Sequence, residues 1–455
     1  MRHPKIIIAG LGVALAAAVA TGSAVSTSPA AAASSAPGTA ATVRVADALV
    51  GTAAAASTAG TLDPTFGKNG IVLTNQGFPV AAVLQSNGDI VVAVGSGSPG
   101  SGLARFLPNG ATDTTFGNGG FAALPNLGIP SVHPGLAVQS DGKLVWAGEA
   151  TASNGTSSTF AVVRFNANGT LDQGFGAGGL ATTTFPVFNA SVQGAQTVLI
   201  QPDGKILVGG ENITGNPSGT SRAPEDFGAL ARFNVDGRID TSFGTGGQVQ
   251  VGNSDFTALG LDASGDIFTL PSHLEFSPAG QPDATLTPAP ITTASPSTSG
   301  DVTFLPSGGF VEAGTVGSRR SGDIDIQVTR FNPDGSTVST STATGIDYAG
   351  QNGALAASDV PDAVVIQANG QAVIGGTHTE SGQFSSTSMF GLARFNADSS
   401  LDPAFGTGGV LTTRIQGNDS VSLLVIQPDG KILAIGTSQN AAGVGELALA
   451  RYLSQ

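Results

Sequence analysis

The chain has 455 residues, 40% of them hydrophobic and only 11% charged, with 66 glycines and no cysteine. A formal net charge of −14 and the lack of any Lys/Arg-rich run exclude the electrostatic footprint of a nucleic-acid binder. Without cysteine there are no disulfides or thiolate metal sites, and glycine at this density disfavours long helices, so an all-β protein is expected.

At the N-terminus, Arg2, His3 and Lys5 precede an apolar run from Ile6 to Ala20 and then small residues. This pattern predicts an export signal over residues 1–33. The run is shorter than the roughly 20 apolar residues that a spanning helix needs, so no stable membrane span is expected once the signal is removed. Residues 34–60 are rich in Ala, Ser, Thr and Gly without an apolar period and read as a flexible linker. The destination is therefore extracytoplasmic: secreted, or held at the cell envelope.

From Thr61 onward three phrases recur in fixed order. The first is a hairpin, IQPDGKILVGG at Ile200–Gly210 and IQPDGKILAIG at Ile426–Gly436, whose copies centre on Gly88, Gly142, Gly204, Gly265, Gly308, Gly370 and Gly430. Glycine there supplies the positive φ of a tight turn between twisted strands. The second phrase, LARF or a variant, places Arg105, Arg164, Arg232, Glu275, Arg330, Arg394 and Arg451 before an aromatic residue. The third is LDPTFGKNGIVLT at Leu62–Thr74, echoed with Phe at 116, 175, 243 and 405. Each period of about 60 residues thus holds four short strands: a before the hairpin turn, b after it, c at LARF and d after FGxGG. Strand b is apolar on successive residues, so both its faces must be covered, as in sheets stacked radially.

The expected fold is an all-β, seven-bladed β-propeller of four-stranded blades over residues 61–455. The chain opens on a d strand at Gly70–Thr74 and ends on a c strand at Leu447–Tyr452, so the N-terminal strand is expected to complete the last blade and close the ring without a covalent bond. The phrases FGxxGxV, QPDGKI and LARFNxDGxLDxxFG resemble the delta-60 repeat family of bacterial exported proteins. That resemblance implies a secreted propeller-like module and transfers no catalytic residue. Blades 4 and 5 depart from it: LDASGDIFTLPSHLEF has a very short b to c link, and the Pro/Thr-rich stretch Thr287–Ser299 replaces the usual d region.

Connections alternate between two faces. The a to b and c to d links repeat nearly verbatim, as a scaffold does, whereas the b to c and d to a loops share neither length nor residues. Their face is the candidate recognition surface. On it the sequence places Glu149, Glu211, Arg222, Arg319, Arg320, Tyr348, His378 and Glu380 as candidate binding residues, with an extracellular glycan or a protein as the expected partner. A rival reading is a propeller hydrolase or lyase acting on carbohydrate or lactone, with Glu149, Glu211 and His378 as acid/base groups; a third is a structural or adhesive module. No cofactor or metal is expected. The four histidines have no metal-pair spacing, and the turn aspartates offer one or two carboxylates each, too few for a calcium loop. The recurring LARF arginines are expected to pair with the recurring LD aspartates.

Overall fold

The computed structural model describes residues 59–455 apart from 96–99, 129–133, 152–156, 187–190, 215–224, 253, 255, 263, 273, 283–300, 306–308, 319–322, 333–335, 343–355 and 382–385. The expected export signal and nearly all of the linker lie outside these residues. Ala59 and Gly60 lie within them and are already tied to the propeller: the Gly60 amide donates to the Leu453 carbonyl at 2.8 Å, and the Ala59 carbonyl accepts from Gly406 at 3.0 Å.

The chain is a seven-bladed propeller, and the described residues contain no helix. After β1 (Ile71–Thr74), blade 1 holds β2 (Pro79–Leu84), β3 (Ile90–Val94), β4 (Gly102–Phe106) and β5 (Phe121–Ala123). Blade 2 holds β6 (Gly135–Val138), β7 (Leu144–Thr151), β8 (Ser158–Phe165) and β9 (Leu180–Thr183). Blade 3 is β10 (Ser191–Ile200), β11 (Ile206–Thr214), β12 (Glu225–Phe233) and β13 (Gln248–Gly252). Blade 4 shows β14 (Phe256–Leu261), β15 (Ile267–Pro271) and β16 (Leu274–Phe276) among the described residues. Blade 5 is β17 (Val302–Phe304), β18 (Phe310–Ser318), β19 (Asp323–Phe331) and β20 (Thr337–Thr342). Blade 6 is β21 (Ala356–Ile366), β22 (Ala372–Ser381), β23 (Ser386–Phe395) and β24 (Val410–Thr413). The last blade is β25 (Asp419–Ile426), β26 (Ile432–Gln439), β27 (Gly445–Tyr452) and, completing it, β1.

Closure follows the sequence expectation. β1 pairs antiparallel with β27, Ile71 opposite Ala450 and Thr74 opposite Leu447. The innermost strands touch in an unbroken circle, β2 to β6, β10, β14, β17, β21, β25 and back to β2. Seven apolar clusters fill the seven seams between blades, because consecutive residues of strands b and c point to opposite neighbours: Val92 packs toward blade 7, whereas Val91 packs toward blade 2. The seam between blades 4 and 5 is the thinnest, with Ala258, Leu270, Phe310 and Phe331 as its buried members. Six of the seven hairpin glycines lie within the described residues and have φ between 82° and 86°.

One device was not visible in the repeats. The innermost strands of blades 1, 3, 4, 6 and 7 each carry a β-bulge at the same place, with Val80, Gln196, Thr257, Asp362 and Ser422 as the extra residue. In blades 3, 6 and 7 the bulge drives the innermost strand against its partner, and glycine stands opposite it. A Cβ on Gly436 would fall beside the Ser420 carbonyl oxygen, and Gly210 and Gly376 stand in the same relation to Gly194 and Val360. Since the obstacle is backbone, Gly436→Ala should destabilise the protein by about 2–3 kcal/mol in equilibrium urea unfolding, while Gly408→Ala, with open space around it, should cost less than half of that.

Candidate functional site

The face bearing the a to b and c to d links is a closed ionic lattice. Each LARF arginine binds the LD aspartate of its repeat: Arg105 Nε to Asp113, Arg164 to Asp172, Arg232 to Asp240 and Arg394 to Asp402, each at 2.8 Å. The guanidinium lies over the phenylalanine of the following FG phrase, 4.4 to 4.7 Å from the ring centre. Its Nη1 donates to a backbone carbonyl of the next blade: Ala167, Val235, Pro278 and Ser454 in turn. At the closing seam the same pattern joins the two ends of the chain. Arg451 meets Asp63 at 3.0 Å, covers Phe66 and donates to the Pro108 carbonyl of blade 1.

The hairpin lysines add to the lattice, Lys205 to Asp240 at 3.1 Å and Lys431 to Asp63 at 3.2 Å. In blade 6 Gln371 takes the lysine's place and donates to Asp402 at 2.9 Å. Burial by itself would raise the Asp63 carboxyl, but donors from Thr65, Lys431 and Arg451 outweigh it and hold Asp63 at about 2. Asp240 is depressed further, burial being overcome by Ser242, Lys205 and Arg232. Blades 4 and 5 break the pattern, as the sequence implied: Glu275 replaces the arginine, and Arg330, lacking an LD aspartate, donates instead to the Gly370 and Asn396 carbonyls. This face is spent on structure.

On the opposite face, several residues placed in loops by sequence lie on strands. Glu149 is within β7, Glu211 is within β11, and His378 and Glu380 are within β22. The hairpins run on past the apolar stretch because backbone pairing continues after the side chains turn polar. Arg222, Arg319, Arg320 and Tyr348 fall outside the described residues. Glu149 accepts from the Thr151 hydroxyl at 3.0 Å and rests against Gly194, which pairs directly with Glu211; the two carboxylates thus flank one point on the innermost strand of blade 3. His378 is fully enclosed and lies 3.9 Å from Glu380, so it presents no atom to the face.

What sequence reasoning missed lies at the closing seam. Phe78, between β1 and β2, is 47% exposed, and its ring lies on Gly445 of blade 7, where a Cβ would sit 2.8 Å from the ring edge. Val444 beside it is 55% exposed. Polar side chains border this apolar patch: Glu446 accepts from Gln416 Nε2 at 2.5 Å, and Asn418 donates to Gln439 at 2.8 Å. Asp419, fully buried, fixes the loop beneath by accepting from the Ile415 amide and the Ser438 hydroxyl. The result is an exposed aromatic ring, its edge against Gly445, with amides and a carboxylate on the strand and loop beside it. The signal in the sequence was a lone Phe in a loop and a Gly at the other end of the chain, which only ring closure unites.

Five stretches, residues 85–116, 139–175, 201–243, 367–405 and 427–455, match the family model described as "Domain of unknown function (DUF5122) beta-propeller". The repeats are therefore those of a propeller family, and the matched stretches fall in blades 1, 2, 3, 6 and 7. A comparison with curated proteins finds no match. Among solved structures the chain is similar to an α-L-arabinofuranosidase from Fusarium graminearum, at 8% identity over 87% of this chain and 97% of that one, TM-score 0.36. It is similar also to a gluconolactonase from Xanthomonas campestris, at 14% identity over 84% and 89%, TM-score 0.35. A puromycin hydrolase shares 13% identity over 80% of this chain and 51% of that one, TM-score 0.39.

Proposed function

We propose that this chain, a propeller with repeats of the delta-60 type, is an exported module that binds an extracellular glycan through its variable-loop face. The reading rests on the Phe78 plane at the seam of blades 1 and 7. An exposed ring held flat offers its negative π face to the polarised C–H groups of a sugar, and the amides and carboxylate around it can exchange hydrogen bonds with hydroxyls. Two groups of residues divide the labour. The arginine lattice stiffens one face, and the loops of the other are free to differ. The hydrolase alternative loses support from His378, whose enclosure keeps it from a substrate on this face.

A glycan array on the mature protein tests the reading. Binding of at least one oligosaccharide is expected, and Phe78→Ala should weaken it roughly tenfold, a loss of about 1.4 kcal/mol, without lowering the melting temperature. A blank array, or a hit indifferent to Phe78→Ala, rejects glycan recognition at this place.

A further inference from the structure

A second site sits deeper, on the innermost strand of blade 6. Asp362 is the bulged residue of β21, the one ionisable side chain among the bulge residues Val80, Gln196, Thr257, Asp362 and Ser422. A bulge leaves its extra residue out of the ladder, so Asp362 has no cross-strand residue opposite it. The side chain is partly buried, and the Thr377 hydroxyl donates to it over a long 3.4 Å. Among the described residues no lysine or arginine pairs with it, although the lattice aspartates Asp63, Asp113, Asp172, Asp240 and Asp402 are held by cations.

The titratable groups described on the elements packed against β21 are Asp301, Glu312 and Arg330 from blade 5, His378 and Glu380 on β22, and Asp419 on β25. Arg330 is engaged with the Gly370 and Asn396 carbonyls, and Asp301 takes the Val364 amide at 3.1 Å. Among the described residues, no unengaged cation stands on the elements packed against β21. We propose that Asp362 and the bulge around it form an axial binding site for a primary ammonium group, such as that of a lysine side chain or an amino sugar. A compact cation with three donors suits one carboxylate beside a hydroxyl, whereas a guanidinium wants a bidentate partner and a divalent metal wants more ligands. Among the described residues no group of three metal-ligating side chains occurs. Burial, only partly offset by the Thr377 hydroxyl, raises the Asp362 carboxyl to about 7, so an arriving cation would have to displace a proton.

Calorimetric titration of the mature protein with n-butylammonium chloride, at pH 5 and pH 8, tests this site. Affinity should rise roughly 50- to 100-fold between the two pH values, with proton release at pH 6 to 7 read from buffers of different ionisation enthalpy. Asp362→Asn should abolish binding while the protein stays folded, with a melting temperature no lower than the wild type's, and Phe78→Ala should leave binding intact, which separates this site from the glycan plane. Equal binding of neutral n-butanol, binding that survives Asp362→Asn, equal affinity at both pH values, or no binding at all would overturn the assignment.

Discussion

Arg451→Ala should lower the stability of the folded chain by about 3–5 kcal/mol in equilibrium denaturant unfolding, because it removes a buried guanidinium and leaves Asp63 only the partly exposed Lys431 as a counter-charge. Arg451 is 5% exposed and joins four parts of the molecule at once: Asp63, the Phe66 ring, the Thr65 hydroxyl and the Pro108 carbonyl of blade 1. No disulfide backs it up. Arg451→Lys should recover only part of the loss, since an ammonium cannot serve a carboxylate, a carbonyl and a ring face together. Arg238→Ala, at an exposed pair, should leave the midpoint unchanged. The same lattice sets the acid limit. Asp63 is depressed to about 2 in the folded state, so its contribution is complete above the ordinary carboxylate range near 4 and is lost as pH falls from about 4 to 2. Asp113, Asp172 and Asp240 are lowered as well and act in the same sense, which makes acid unfolding steep.

Asp362→Asn should do the reverse and stabilise the protein at neutral pH, by about 2–4 kcal/mol. The folded carboxyl is raised from 3.8 to about 7 by burial, which the Thr377 hydrogen bond offsets only in part. A raised acid binds its proton more tightly folded than unfolded, so the wild type loses stability as pH climbs from about 4 to 7 and is flat beyond. The amide has no proton to lose. The difference between the two proteins should therefore be near zero at pH 4 and complete by pH 8, as read from urea midpoints across that range. A substitution that improves stability at a bulge next to the propeller axis marks a residue kept for something other than folding.

Much of this architecture was legible before any coordinates. The Asp-Gly and Asn-Gly turns fixed strand positions because positive φ is a local demand, and the pairing of each LARF arginine with its LD aspartate followed from their constant spacing. Closure was legible too, since β1 and β27 are the two halves of one interrupted repeat. The recognition surface was not. Glu211, His378 and Glu380 were assigned to loops because polar residues end an apolar run, yet the backbone ladder continues through them. His378 is enclosed by its neighbours in three dimensions, which no local pattern announces. Phe78 and Gly445 stand at opposite ends of the chain, and Asp362 becomes distinctive only through a bulge that shifts register by a single residue.

Recognition at the seam is the claim on which the functional account turns, and saturation-transfer NMR on the mature protein with its strongest array ligand tests it most directly. The account predicts that saturation of aromatic protons passes to sugar ring protons in the wild type and in Asp362→Asn, and is strongly reduced in Phe78→Ala at unchanged melting temperature. Undiminished transfer in Phe78→Ala would contradict it and place the ligand elsewhere on the ring.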